Sequence, residues 1–206
     1  LLGKVADMLT RWLEHRVRAN ASVYWTEYDH AQIFQLDITT GGQVAINANK
    51  ARIKGAEFDY RQGFTFLPGI LSKTGMELNA TYAPSDSGEK DLAGKKIPFQ
   101  DNSTKSGNFI LWYQDDRFQA RVAYNYRSRR AVADSVGGIT GLEMYEAPQK
   151  YIDASISYKF AKQLEVFLNG TNLTNEYQRY YLTWPNQPGH STFSERMFMF
   201  GIRGQW

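Results

Sequence analysis

The chain has 206 residues, with 24 Lys and Arg against 21 Asp and Glu; its net charge of +3 is too small an excess to imply a nucleic-acid partner. Aromatic residues make up 15% of the sequence although mean hydropathy is −0.51, a combination too rich in surface-burying side chains for a disordered chain. Cysteine is absent, which removes disulfide frameworks, cysteine-zinc sites and thiol nucleophiles. A spanning helix is excluded too: it needs roughly 20 consecutive apolar residues, and the least charged stretch, Gln62 to Ser72, is shorter and broken by Gly63, Pro68 and Gly69.

Residues 1–16 come first. Leu2, Val5, Leu9 and Trp12 recur at helical spacing, with Leu1, Met8 and Leu13 beside them, and predict a short amphipathic helix. No basic start, apolar run and small-residue cleavage site mark a secretory signal there. A chain that begins on Leu without a targeting segment reads as a piece of a longer one.

From Val17 the period changes to two. Val17, Ala19, Ala21, Val23 and Trp25 form an apolar face, and Arg18, Asn20, Ser22, Tyr24 and Thr26 a second one, the alternation of a strand between two environments. Met76, Leu78, Ala80 and Tyr82 repeat it, as do Phe118, Ala120, Val122, Tyr124 and Tyr126, and Ile152, Ala154, Ile156, Tyr158 and Phe160. About eight strands are predicted, at 17–29, 50–66, 74–84, 106–115, 117–130, 149–160, 163–173 and 193–206. Several exceed the usual ~5–6 residues of soluble sheets and match the roughly 9–11 needed by a tilted membrane-spanning strand.

Short links at Leu67–Lys73, Asp115–Asp116 and Ala161–Lys162 alternate with long ones near 30–49, 83–105, 131–148 and 174–192, the asymmetry of an outer-membrane barrel. The non-apolar face carries Arg, Asp, Glu, Lys, Asn and Ser, consistent with a wet lumen. Aromatics gather near strand ends at Tyr24, Trp25, Tyr28, Tyr124, Tyr126, Tyr177, Tyr180, Tyr181 and Trp184, as interface girdles do. Phe198, Phe200, Ile202, Gly204 and Trp206 take alternate positions at the C-terminus, and an apolar last strand suits barrel closure better than an open edge.

Five segments in order carry a resemblance. They are Asn47-Ala-Asn-Lys-Ala-Arg-Ile-Lys-Gly55-Ala-Glu57-Phe; Phe118-Gln-Ala-Arg-Val-Ala-Tyr-Asn-Tyr-Arg127-Ser; Tyr151-Ile-Asp-Ala-Ser-Ile-Ser-Tyr158; Asn169-Gly-Thr-Asn172-Leu-Thr-Asn175-Glu-Tyr177; and Phe200-Gly-Ile-Arg203-Gly-Gln-Trp206. With this order and spacing, residues 16–206 resemble the C-terminal part of TonB-dependent outer-membrane receptors. Gly107-Asn-Phe-Ile-Leu-Trp-Tyr113, followed by the Arg127-Ser strand, looks most like the Xanthomonas and Caulobacter type, several of which are associated with carbohydrates. The resemblance implies an antiparallel transmembrane β-barrel of about 22 strands, of which this chain supplies about the last eight. It implies a plug domain that fills the barrel, contact with TonB through an N-terminal region this sequence lacks, and import of a large scarce nutrient such as an oligosaccharide or a ferric siderophore. Partners would be outer-membrane lipid and lipopolysaccharide, the remaining strands, the plug and TonB. The helical pattern of residues 1–16 departs from the family.

No catalytic constellation is present: GxSxG, Walker and HExxH patterns are missing, and His15, His30 and His190 are widely separated. The expectation is a protein that is not an enzyme and takes no cofactor or resident metal. Asp115-Asp116 reads as a solvated turn. Asp86, Glu89 and Asp91 share a polar loop, for which a calcium site and plain solvation both stand. Ligand contact is expected from Tyr180, Tyr181, Trp184 and Asn186, whose rings and amides suit sugar faces and hydroxyls, and from Arg127 and Arg129, with Arg130 beside them, which suit an anion. Interface girdle and lipopolysaccharide phosphate are the competing roles for these residues. Two other readings stay open: a self-contained eight-stranded barrel serving as anchor or adhesin, and an outer-membrane enzyme, which would need a Ser/His or paired-acid site at the rim.

Overall fold

The computed structural model describes residues 17–29, 32–36, 39, 42–47, 50–133, 136–139 and 141–204. The helix expected over residues 1–16, and Trp206, lie outside them. The strands are β1 (Val17–Tyr28), β2 (Gln32–Leu36), β3 (Gln43–Asn47), β4 (Ala51–Gly63), β5 (Thr74–Tyr82), β6 (Ser85–Asp86), β7 (Lys105–Gln114), β8 (Phe118–Arg127), β9 (Arg130–Ala133), β10 (Met144–Glu146), β11 (Gln149–Ala161), β12 (Leu164–Thr171), β13 (Gln178–Leu182), β14 (Pro188–Thr192) and β15 (Met197–Gly204).

Eight long strands form one antiparallel path, β1-β4-β5-β7-β8-β11-β12-β15, with β6 added against the start of β4. They coincide with the eight predicted segments to within a few residues. Short connections at 64–73, 115–117 and 162–163 lie at one end; residues 29–50, 83–104, 128–148 and 172–196 form the long connections at the other. The long connections have strands of their own: β2 pairs with β3, and β14-β13-β10-β9 form a four-stranded sheet drawn from two different loops. Among the described residues the main path does not return from β15 to β1, so the molecule is an arc of barrel wall.

Register puts like with like across the whole arc. Ala21 faces Phe58, Phe58 faces Ala80, Leu78 faces Phe109, Phe109 faces Tyr124, Tyr124 faces Ile152, Ile156 faces Leu168, and Leu168 faces Phe200. One residue away most pairs are polar, for example Asn20 with Asp59, Asn79 with Asn108, Arg121 with Ser155, and Glu165 with Arg203. Because side chains alternate strictly along a strand, a slip of one residue would exchange the two faces entirely. The apolar face is uncovered: Val23, Trp25, Phe198, Phe200 and Ile202 are 73%, 69%, 62%, 70% and 63% exposed. Burial in a protein core therefore does not hold this sheet together. Its ladder hydrogen bonds do, and their value rises where water is excluded.

The polar face fixes register with close-fitting pairs. Tyr24 lies over Gly55, Trp112 over Gly75 and Phe167 over Gly201, each ring occupying the space that a Cβ on the facing glycine would need. At Gly75 the same Cβ would also meet the Gln62 carbonyl oxygen at 2.5 Å.

The β7–β8 turn is tied by Asp115 rather than left as solvated carboxylates. Its Oδ2 accepts from the Tyr113 hydroxyl at 2.6 Å, and its Oδ1 accepts from the Phe118 and Arg117 amides at 2.7 and 2.9 Å. These hydrogen bonds, that of Tyr113 first, hold the Asp115 carboxyl at about 2 against an ordinary 3.8.

Two outcomes are expected. Gly75→Ala should destabilise the refolded protein by about 2 kcal/mol through overpacking. Gly63→Ala, whose Cβ would meet nothing nearer than 3.8 Å, should change the denaturant midpoint little. For Asp115 the folded value is the lower one, so its contribution is complete above about pH 4 and fades as pH falls toward 2. Carboxyl NMR should place its midpoint near 2, and Tyr113→Phe should move that midpoint upward.

Candidate functional site

The long-loop end holds most of the residues singled out from sequence. Arg127 is the last polar-face residue of β8 and sits opposite Gln149, the first of β11. Its Nη2 donates to Glu146 Oε2 at 2.9 Å and to Gln149 Oε1 at 3.0 Å. Arg130 donates from Nε to the same Glu146 oxygen at 2.5 Å and from Nη1 to Asp101 Oδ1 at 2.6 Å. Glu146 is 1% exposed, so one buried carboxylate gathers two guanidiniums, and Asp101 brings the 83–104 loop into the same cluster. Gln100 Nε2 donates to the Val132 carbonyl at 2.9 Å and the Asp101 amide to Ala131 at 2.8 Å, extending that junction.

Arg129 points elsewhere. Its guanidinium lies 4.7 Å from the centre of the Tyr145 ring, and Tyr145 stacks with Tyr181 at 5.7 Å between centroids. Burial, with Asp91 and Glu143 adding to it, pushes the Tyr145 phenol up to about 12. The structure thus brings Arg127, Arg129 and Tyr181 together around β10. Tyr180, one residue along β13, stacks instead on His190 at 4.2 Å and donates to Gln178 Oε1 at 3.2 Å. Trp184 and Asn186 stand apart in the exposed β13–β14 turn, which closes through the Leu182 amide to Gln187 and the Gln187 amide to the Trp184 carbonyl. Phe198, Phe200 and Ile202 lie on the apolar face of β15, opposite Gly170, Leu168 and Val166.

Sequence reading passed over three residues that organise this end. Glu146 and Tyr145 act through partners 16 to 36 positions away, a separation that no local spacing reports. Asn172, inside a segment noted for its resemblance alone, accepts from the Glu176 amide at 2.8 Å and donates to the Ser194 carbonyl at 2.5 Å, while its own amide donates to Asp153 at 2.8 Å. It does so from a left-handed backbone at φ 51, which Asn tolerates better than most residues. Asx repetition in Asn169-Gly-Thr-Asn172-Leu-Thr-Asn175 was the available signal.

Among the described residues no group of three or more His, Asp or Glu is arranged to hold a metal ion. In the polar loop, Asp86 pairs with Lys96 at 2.5 Å and Arg52 at 3.8 Å, and Asp91 Oδ1 accepts from the Lys95 amide at 2.8 Å. Nearer the short-turn end, Arg61, Glu77, Trp112, Arg121, Ser155 and Asn169 border a hollow of about 410 Å³ on the polar face.

Glu146→Gln should leave two arginines without their shared anion in a largely buried setting, a change of about 3 kcal/mol for the loop sheet. Amide hydrogen exchange should speed up in β9, β10 and β13 while the eight long strands keep their protection.

The family described as TonB dependent receptor-like, beta-barrel, matches residues 9–173. No curated protein matches the chain. Among solved structures, it is similar to the siderophore receptor PiuA from Acinetobacter baumannii at 16% identity and a TM-score of 0.62, over 93% of this chain and 26% of that one. The ferric citrate transporter FecA aligns at 18% identity and 0.64, over 91% and 29%, and the copper transporter OprC at 14% and 0.64, over 92% and 29%. At these identities the likeness establishes fold, and the chain spans little more than a quarter of each protein. With four-fifths of its length matched and eight strands in the expected order, the chain belongs to the TonB-dependent receptor-like β-barrel family.

Proposed function

We propose that this chain forms the C-terminal barrel wall and outer loops of a bacterial outer-membrane receptor that imports a large, scarce nutrient with energy from TonB. The observation that carries this reading is the two-faced sheet. Eight antiparallel strands present an unbroken apolar band on one side and a polar face on the other, with every long connection at a single end. Such a sheet is stable only where lipid meets the apolar band, and a wide lumen meets the polar one. Small lumen-side residues such as Ser155, Ser157 and Ala123 leave space that a plug domain would fill.

Remaining barrel strands, plug and TonB are the partners of this reading. The substrate class is a ferric siderophore or an oligosaccharide. Two proteins of similar fold are a siderophore receptor and a ferric citrate transporter, which supports the first; exposed Trp184 and Asn186, with Tyr180 and Tyr181 on the strand before them, support the second. Arg127, with Arg130, is committed to Glu146, and Arg129 to Tyr145, so their part in ligand contact is to hold the aromatic loop in place. Sequence and site chemistry favour transport over catalysis.

Uptake tests the proposal. Cells carrying the full-length protein should take up labelled ferric siderophores or oligosaccharides only when TonB is present, and Trp184→Ala should weaken binding about tenfold, as loss of an aromatic anchor does. TonB-independent uptake would refute the transport reading. The 206-residue chain alone, with its sheet path open between β1 and β15, should remain protease-sensitive and show no heat-modifiable migration in detergent. A compact, resistant species would favour the self-contained anchor or adhesin.

A further inference from the structure

Two register rows of the polar face, next to the short turns, differ from the rest of that face. Trp112, Arg121, Ser155 and Asn169 stand side by side on β7, β8, β11 and β12, and Gln114, Gln119, Ser157 and Phe167 form the row beside them. All eight line the hollow of about 410 Å³. The two serines make its floor shallow in side chain, and the Trp112 and Phe167 rings stand on the strands at its two ends. Among the described residues Arg121, Gln114, Gln119, Ser155, Ser157 and Asn169 make no side-chain hydrogen bond or ion pair. Toward the long loops the same face satisfies itself: Asn125 and the Asn172 amide donate to Asp153, and Arg127 donates to Glu146 and Gln149.

Charge follows the same division. The polar-face positions nearest the short turns hold Arg18, Arg61, Arg121, Lys159 and Arg203 against Glu77 and Glu165, five cations to two carboxylates. Further along, Glu57, Asp59 and Asp153 come before Arg127 with no cation among them. Both carboxylates of the basic end are already engaged, Glu77 with Arg61 at 3.3 Å and Glu165 with Arg203 at 3.8 Å. Each stands two strands from Arg121, about 10 Å away, which exceeds the ~8 Å screening length at physiological salt. Arg18 lies directly opposite Arg61, a like-charge pair that costs stability. The fold therefore keeps a positive excess here that nothing in the described sheet neutralises.

We propose that this hollow is a binding site, inside the lumen, for an anionic organic solute that carries both carboxylate and hydroxyl oxygens, met after the solute leaves the outer loops. A ferric hydroxycarboxylate and an acidic oligosaccharide share that chemistry. Arg121 takes a carboxylate on its two-pronged guanidinium, while the amides of Gln114, Gln119 and Asn169 and the two serine hydroxyls take the remaining oxygens. Charge complementarity decides the occupant: a surplus of donors, one uncommitted guanidinium and no free carboxylate favour an oxygen anion. A neutral solute would leave Arg121 without a counter-charge. A plug that fills the wider lumen leaves this recess of the wall as a lane beside it. The inference rests on the receptor reading and narrows its nutrient to an anion.

Equilibrium dialysis of the full-length protein in detergent tests it, with ferric citrate and trigalacturonate as anionic probes and maltotriose as the neutral one. At least one anion should bind, more weakly as salt rises, and Arg121→Gln should weaken it at least about tenfold. Ser155→Leu, which fills the floor and keeps the charge, should do the same, and heat-modifiable migration of both variants should confirm their fold. Trp184→Ala, at the outer turn, should leave the Arg121-dependent component in place. Whichever anion binds identifies the source. Equal binding by the Arg121→Gln protein, or maltotriose bound as tightly as the anions, would overturn the site. Binding of neither anion would overturn it too and give the hollow to the plug. In all three cases TonB-dependent uptake would still stand, whereas TonB-independent uptake would count against the receptor reading and leave the dialysis result untouched.

Discussion

Everything in this chain follows from the cost of an unpaired backbone amide or carbonyl in hydrocarbon, several kcal/mol each. A strand that meets lipid on one side must find ladder partners on both edges, so sheet closure ranks above side-chain packing as the stabilising principle. That is why the described sheet holds together with so little interior. Its largest fully buried side chains, Tyr145, Glu143 and Glu146, lie in the loop sheet rather than between membrane strands. It is also why β1 and β15, whose outer edges have no partner among the described residues, would need ladder partners in a membrane.

A single sheet without a core has to encode its register elsewhere. Three devices do so here: the two-residue alternation that makes any slip exchange lipid and lumen faces, the aromatic rings seated over Gly55, Gly75 and Gly201, and the tight Asp115 turn. Glycine appears at these positions because a ring needs the volume of the missing side chain. The rings supply contact area that an Ala-for-Gly sheet would lack, and they do so on the polar face, where lipid cannot contribute.

The barrel strands were legible in sequence because their physics is local. A period of two needs only neighbours in the chain, so segments such as 118–127 and 149–161 announced both their length and their faces. The long loops were not legible, since their order is made by contacts across the sequence. β9, β10, β13 and β14 are short, lack clean alternation and become a sheet only when two loops meet. Arg127 and Arg130 looked like free cations for an anionic ligand. Their counter-charge, Glu146, lies 16 to 19 residues away in a segment with no motif. Tyr181 similarly read as an exposed sugar platform, whereas its ring stacks on that of Tyr145. Trp184 and Asn186 kept their sequence-level character because a turn exposes them whatever surrounds it.

The loop cluster also shows how a wall segment can order its long connections without a core of its own. Three long connections are cross-linked at their bases, through Asp101 to Arg130, Arg130 and Arg127 to Glu146, and Tyr145 to Tyr181. The tips between them, around Trp184, are exposed. Charge-assisted bonds at the base are strong because Glu146 is removed from water, and rigidity there lowers the entropy that any ligand must pay to order the tips. The arginines that sequence chemistry assigned to an anionic ligand are thus taken up inside the loop cluster. Through Glu146 and Tyr145 they tie β10 to the rim, and through Tyr181 that tie reaches the strand that leads into the aromatic turn.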